Sequence, residues 1–124
     1  MKFPGNRKGT GPLSLAVEVG KAQESMVPTL HPQDIVLVDK DDFRPTPEGS
    51  IFLIREPGPD AEVAVKRVYT QVRDGDTLLN FVSDNPDKKS YPLAVYSLER
   101  DYQGDLKQAI VGRVVWSWSD MTRK

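Results

Sequence analysis

Glu62-Val63-Ala64-Val65-Lys66-Arg67-Val68-Tyr69-Thr70 is the segment from which the fold class is read most directly. Val, Tyr and Thr favour a pleated, half-buried surface, so the segment reads as a β-strand. Alternation along a strand sets Ala64, Lys66 and Val68 on one face and Arg67 on the other. Turn signals close both ends, Glu56-Pro57-Gly58-Pro59-Asp60 before it and Arg73-Asp74-Gly75-Asp76 after it. The Asp74-Gly75 pair suits a tight hairpin, because Gly accepts the positive φ such a turn requires.

The same rhythm runs outward in both directions. Further candidate strands lie at residues 13–19, 35–39, 50–55, 77–82 and 109–118, with the first at 62–70. Nine Gly and ten Pro divide the chain, and long helices do not tolerate breaks at that frequency. No segment sustains a 3.6-residue period, so a mostly β domain with few short helices is expected. Residues 1–12, with Lys2, Arg7 and Lys8 among Pro4, Gly5, Gly9 and Gly11, read as a flexible basic arm. Residues 13–124 are then one domain of ordinary size.

Composition removes several classes of function. Seventeen Lys+Arg against eighteen Asp+Glu give a net charge of -1, and a whole-surface grip on nucleic acid needs clustered positive charge instead. The absence of Cys excludes disulfides, thiol catalysis and thiolate metal sites. With a single His as well, a structural zinc site has almost no ligands to use, and no metal or organic cofactor is implied. Apolar runs such as Ile35-Val36-Leu37-Val38 are far shorter than the roughly 20 residues of a spanning helix. A chain free of the membrane and located in the cytoplasm is the expectation.

Two segments carry chemistry. One is Glu24-Ser25-Met26-Val27-Pro28-Thr29-Leu30; the other is the strand that contains Lys66. A serine hydroxyl is a weak nucleophile until a neighbouring base takes its proton. A neutral lysine amine can be that base, a variant of the triad logic. Lysine ordinarily titrates near 10.4, so holding it neutral at pH 7 costs about 4.6 kcal/mol. Burial beside Ala64 and Val68 would supply this, since desolvation disfavours the ammonium. Taken singly, Ser25 reads as a loop or cap serine and Lys66 as a solvated strand lysine. His31 beside Pro32 in a polar turn reads as surface.

The blocks Ser25-Met26-Val27-Pro28-Thr29-Leu30, Asp34-Ile35-Val36-Leu37-Val38-Asp39 and Val65-Lys66-Arg67-Val68 closely resemble the LexA-type Ser-Lys peptidase family. That family includes the C-terminal domains of phage repressors and the UmuD proteins. The resemblance continues through Val82-Ser83-Asp84-Asn85-Pro86 with Tyr91-Pro92, and through Ile110-Val111-Gly112-Arg113-Val114-Val115-Trp116. It implies a LexA- and signal-peptidase-like β-rich domain, with Ser25 as nucleophile and Lys66 as general base. The implied reaction is hydrolysis of a peptide bond, usually one in the same polypeptide. Gln23 and Glu24 stand where the family usually has Gly and then Asp or Asn, and Gln33 stands where it usually has Gly.

The resemblance also supplies expectations for the remaining residues. Met26 and Pro28 shape the loop and line the substrate groove or support the oxyanion, with simple packing as the alternative. Ser83-Asp84-Asn85 reads first as a turn, given Asn-Pro, and lies near the active site in the family. Alternation puts Trp116 and Trp118 on one face with Val114, either as core or as a homodimer interface. No Ala-Gly or Cys-Gly dipeptide, the family's usual cleavage site, occurs, and 24 residues precede Ser25. The expectation is therefore a C-terminal portion of a transcriptional repressor. Operator DNA would be contacted only through a missing N-terminal helix-turn-helix domain, and a RecA filament would stimulate cleavage. The alternatives are a UmuD-like subunit of an error-prone DNA polymerase and a catalytically inactive dimerisation domain. A signal peptidase would need a membrane anchor.

Overall fold

The computed structural model describes residues 14–20, 23–59 and 62–118; the basic arm at 1–12 lies outside them. One antiparallel sheet is built from β1 (Ser14–Glu18), β2 (Ile35–Asp39), β3 (Ser50–Arg55), β4 (Val63–Arg73), β5 (Asp76–Val82), β6 (Ala94–Ser97) and β7 (Ile110–Trp118). Their spatial order is β1-β2-β7-β3-β4-β5-β6. Two short helices, α1 (Leu98–Tyr102) and α2 (Leu106–Ala109), precede β7. The fold is mostly β, as the turn rhythm implies.

Six strands fall close to the segments read from alternation. The β4–β5 hairpin turns at Asp74 and Gly75, with φ of 54° and 79°, and it lengthens β4 to Arg73. Ala94–Ser97 forms a strand that alternation alone does not reveal. Four residues give too little alternation to identify, and β6 exists because it pairs with Leu78 through Phe81 on β5. The helices are as short. The Ser97 hydroxyl caps α1 by accepting from the Arg100 N–H at 3.1 Å.

The sheet is apolar on both faces, which places the core in two clusters. Phe52, Ile54, Val68, Leu79 and Phe81 pack under the helices with Tyr102, Ala109 and Ile110. On the other side Val36, Val38, Leu53 and Val65 pack with Val19, Met26 and Leu30. The second cluster anchors the chain around Ser25 against the sheet. Gly112 allows β7 to lie close to β2: a Cβ there would sit 2.4 Å from the Asp39 carbonyl oxygen.

The tryptophans depart from simple alternation. Val114 pairs with Val38 but Trp116 pairs with Leu37, so one residue of β7 is extra at Val115. Such a bulge shifts everything beyond it to the opposite face. Trp116 therefore does not share a face with Val114, and it is not core: Trp116 is 60% and Trp118 38% exposed.

Candidate functional site

Ser25 lies in a turn over residues 25–29, just before the core anchor. The turn is tied by Leu30 N–H donating to the Met26 carbonyl at 2.9 Å and Val27 N–H donating to that of Glu24 at 3.2 Å. Met26 (3% exposed) and Leu30 drive their side chains into the second cluster. The Met26 side chain is thus packing, and it does not line the cavity beside Ser25. Pro28 is exposed and is likewise absent from that cavity's wall.

Lys66 sits in β4 directly opposite the buried Phe52 on β3. Desolvation in this apolar setting pushes its amine below the usual lysine range; Glu56 opposes that effect and the like charge of Lys88 adds to it. The strand register pairs Arg67 with Val82, which carries Lys66 to the level of Ser83. Its Nζ donates to the Ser83 hydroxyl at 2.8 Å, and Ser83 is only 2% exposed.

Ser25 and Lys66, 41 residues apart in sequence, line one cavity of about 220 Å³. Gln23, Glu24, Glu56, Glu62, Val63, Ala64 and Tyr91 complete its wall. Lys66 donates to Ser83 here and not to Ser25. A neutral amine carries two N–H donors and one lone pair. Donating one N–H to the Ser83 oxygen limits rotation about the Cε–Nζ bond and lets the lone pair face the cavity.

Residues 83–85 join the two halves of the site. Ser83 accepts from Lys66, and its carbonyl accepts from Lys88. Asp84 receives the Arg67 guanidinium through two hydrogen bonds of 3.0 and 2.8 Å. Asp84 also accepts from the Thr29 hydroxyl at 2.5 Å, while Arg67 donates to the Gly49 carbonyl. Asn85 reaches the serine turn directly: its N–H donates to the Ser25 carbonyl and its side-chain amide to that of Glu24, each at 2.8 Å. The Arg67 guanidinium holds the Asp84 carboxyl below the usual carboxylate range, and the Thr29 hydroxyl assists. The sequence marks this segment only as an Asn-Pro turn near the site; its partners on β4 and in the serine turn lie 17 to 61 residues away.

Other sequence candidates are placed apart. The His31 ring is 58% exposed beside Asp34 and is not in the cavity wall. Gln33, where a Gly was expected, takes φ of 72°. Its N–H donates to the Val19 carbonyl at 2.8 Å, which holds the turn into β2. A left-handed conformation costs a non-glycine residue about 1–2 kcal/mol. Trp116 and Trp118 lie on β7, paired with Leu37 and Ile35. Among the described residues no cluster of His, Cys, Asp or Glu is arranged to hold a metal ion. No helix among them is long and apolar enough to cross a membrane.

A hydroxyl and a partly desolvated amine on one cavity wall, carried on a mostly β scaffold, have the composition of a serine-hydrolase site that uses lysine. The sequence agrees at the level of family: residues 16–115 match the profile described as Peptidase S24-like, and the chain belongs to that family. This is the serine peptidase family of the LexA, UmuD and phage-repressor C-terminal domains. No curated protein matches the chain.

Proposed function

We propose that this chain is the self-cleaving and dimerising domain of a phage- or SOS-type transcriptional repressor, with Ser25 as nucleophile and Lys66 as general base. The observation that carries the reading is the shared cavity, in which Ser25 meets an amine whose burial favours the neutral form. The Ser25 hydroxyl attacks the carbonyl carbon of the scissile peptide bond while its proton passes to the lone pair of Lys66 Nζ. Backbone N–H groups of the serine turn would stabilise the oxyanion. Collapse of the tetrahedral adduct breaks the C–N bond; the Lys66 ammonium returns the proton to the leaving amine, and an ester to Ser25 remains. Water, deprotonated by the regenerated amine, then hydrolyses that ester. The lone pair of Lys66 Nζ must turn toward Ser25 for the first step while one N–H stays on the Ser83 hydroxyl, and such bonds commonly tighten only when substrate is bound.

Cleavage would separate the operator-binding half from this half. Operator affinity would then fall through lost effective concentration. The test uses the protein as its full reading frame encodes it, incubated from pH 6 to 10 with and without a RecA filament on single-stranded DNA. Two fragments are expected to accumulate faster as pH rises and faster with the filament, and Ser25→Ala and Lys66→Ala should each abolish them. Fragments that persist in both variants would overturn the assignment. No fragments from the parent would leave a dimerisation domain without peptidase activity. An upstream helix-turn-helix in the reading frame distinguishes a repressor from a UmuD-like polymerase subunit.

A further inference from the structure

Asn85 meets the serine turn at two points. Its backbone N–H donates to the Ser25 carbonyl and its side-chain amide to the Glu24 carbonyl, each at 2.8 Å. Its own turn sets which end of the amide faces Glu24: Asn85 Oδ1 accepts from the Asp87 N–H at 2.9 Å, which leaves Nδ2 for the serine turn. The two carbonyls belong to the peptide groups on either side of the Ser25 Cα. Both groups are trans, and in a trans peptide the N–H points opposite to the C=O. Fixing the Glu24 carbonyl therefore fixes the Ser25 N–H, and fixing the Ser25 carbonyl fixes the Met26 N–H. Among the described residues neither of these N–H groups has a hydrogen-bond partner. The next one, of Val27, is already used on the Glu24 carbonyl at 3.2 Å.

We propose, building on the peptidase reading above, that Asn85 is a positioning residue for the nucleophile: its carboxamide holds the Glu24–Ser25 peptide so that the Ser25 and Met26 N–H groups stay aimed at the oxyanion of the tetrahedral adduct. Two adjacent N–H groups with nothing else to donate to are the donor set such an oxygen needs. Glu24 is exposed and lies in no strand or helix. Without the Asn85 amide, its carbonyl keeps only the longer bond from Val27. The other ties on this turn act further along the chain, the Thr29–Asp84 bond at its far end and the Met26 side chain in the core. Among the described residues Asn85 is the one side chain bonded to a peptide group of Ser25.

The variants are chosen to separate the donor from the turn. Asn85→Asp and Asn85→Ser keep an acceptor for the Asp87 N–H and lose the donor to Glu24, whereas Asn85→Ala loses both. On the chain itself, ¹⁵N relaxation should give Ser25 and Met26 order parameters of about 0.85 in the wild type, falling toward about 0.6 in all three variants. In the full reading-frame product, the cleavage rate on the alkaline plateau, where Lys66 is neutral, should fall about tenfold in all three. The midpoint of the acid limb should stay in place in the uncharged Asn85→Ser and Asn85→Ala, and melting temperatures should drop by no more than about 5 °C. A role confined to the turn would instead be rescued by Asp and Ser, and a general loosening of the site would rehydrate Lys66 and move the midpoint. Unchanged amide order, a plateau loss under about threefold in Asn85→Asp and Asn85→Ser, or a moved midpoint overturns the proposal. A parent that yields no fragments, or fragments that survive Ser25→Ala and Lys66→Ala, would sink the peptidase reading instead, and the amide order would still decide whether Asn85 holds the turn.

Discussion

Ser83 shows how much a single hydroxyl can do at the residue scale. It is buried, it accepts from Lys66, and it lies one position from the Asp84 that clamps Arg67. Ser83→Ala removes the only side-chain acceptor of the Lys66 amine among the described residues and leaves that amine free to rotate away from Ser25. Self-cleavage of the full reading-frame product should slow by about tenfold or more, with Ser83→Thr restoring most of it. A thermal melt separates this from simple unfolding, since the expected stability loss is only about 1 kcal/mol. Retention of full activity in Ser83→Ala would mean that the hydrogen bond has no part in orienting the base. Gln33 makes the opposite point. The family's glycine is gone, yet the backbone still takes the left-handed conformation because two strands require that path.

At the scale of elements, the connection between β5 and β6 holds the serine turn to β4. Its centre is the Arg67–Asp84 pair, whose side chains are each largely withdrawn from solvent. Arg67 lowers the Asp84 carboxyl below its ordinary value. The contribution to stability is therefore complete above the unfolded aspartate range, near 3.9, and is lost as pH falls through the lowered folded value. The stability advantage of the wild-type chain over Asp84→Asn, measured by urea unfolding, should be constant from pH 7 to 5 and should shrink below about pH 4. A difference that grows on acidification would contradict the clamp. Because Thr29 also donates to Asp84, the serine turn should loosen in the same acid range.

At the scale of the whole molecule, the two tryptophans are the largest of the apolar side chains that the described residues leave exposed. Trp116 and Trp118 sit beside Leu37 and Ile35 of β2, beyond the residues of β7 that pair with β3. Burial of large aromatics stabilises association at roughly 25 cal/mol per Å² of apolar area. If this face joins two copies, sedimentation should show a dimer for the wild-type chain. Trp116→Arg should raise the dimer dissociation constant by at least tenfold, with little change in the melting temperature of the monomer. A wild-type chain that stays monomeric at high micromolar concentration would remove the dimer from the proposed function.

Much of the architecture was legible because it is local. Alternation places Lys66 with Ala64 and Val68, Asp74-Gly75 closes a hairpin, and frequent Gly and Pro exclude long helices. The family resemblance extended that reading to Ser25 and Lys66 as partners. Three features lay beyond it. β6 needs β5 to exist as a strand, the bulge at Val115 reverses the tryptophan face, and Ser83, Asp84 and Asn85 find partners on two distant segments, β4 and the serine turn. Periodicity describes a side chain relative to its own strand, so the sequence by itself determined the strands and the two reactive residue types. Only the tertiary structure decided which groups share a cavity and which hydroxyl holds the amine, because desolvation and hydrogen bonds act through space between residues that the chain keeps far apart.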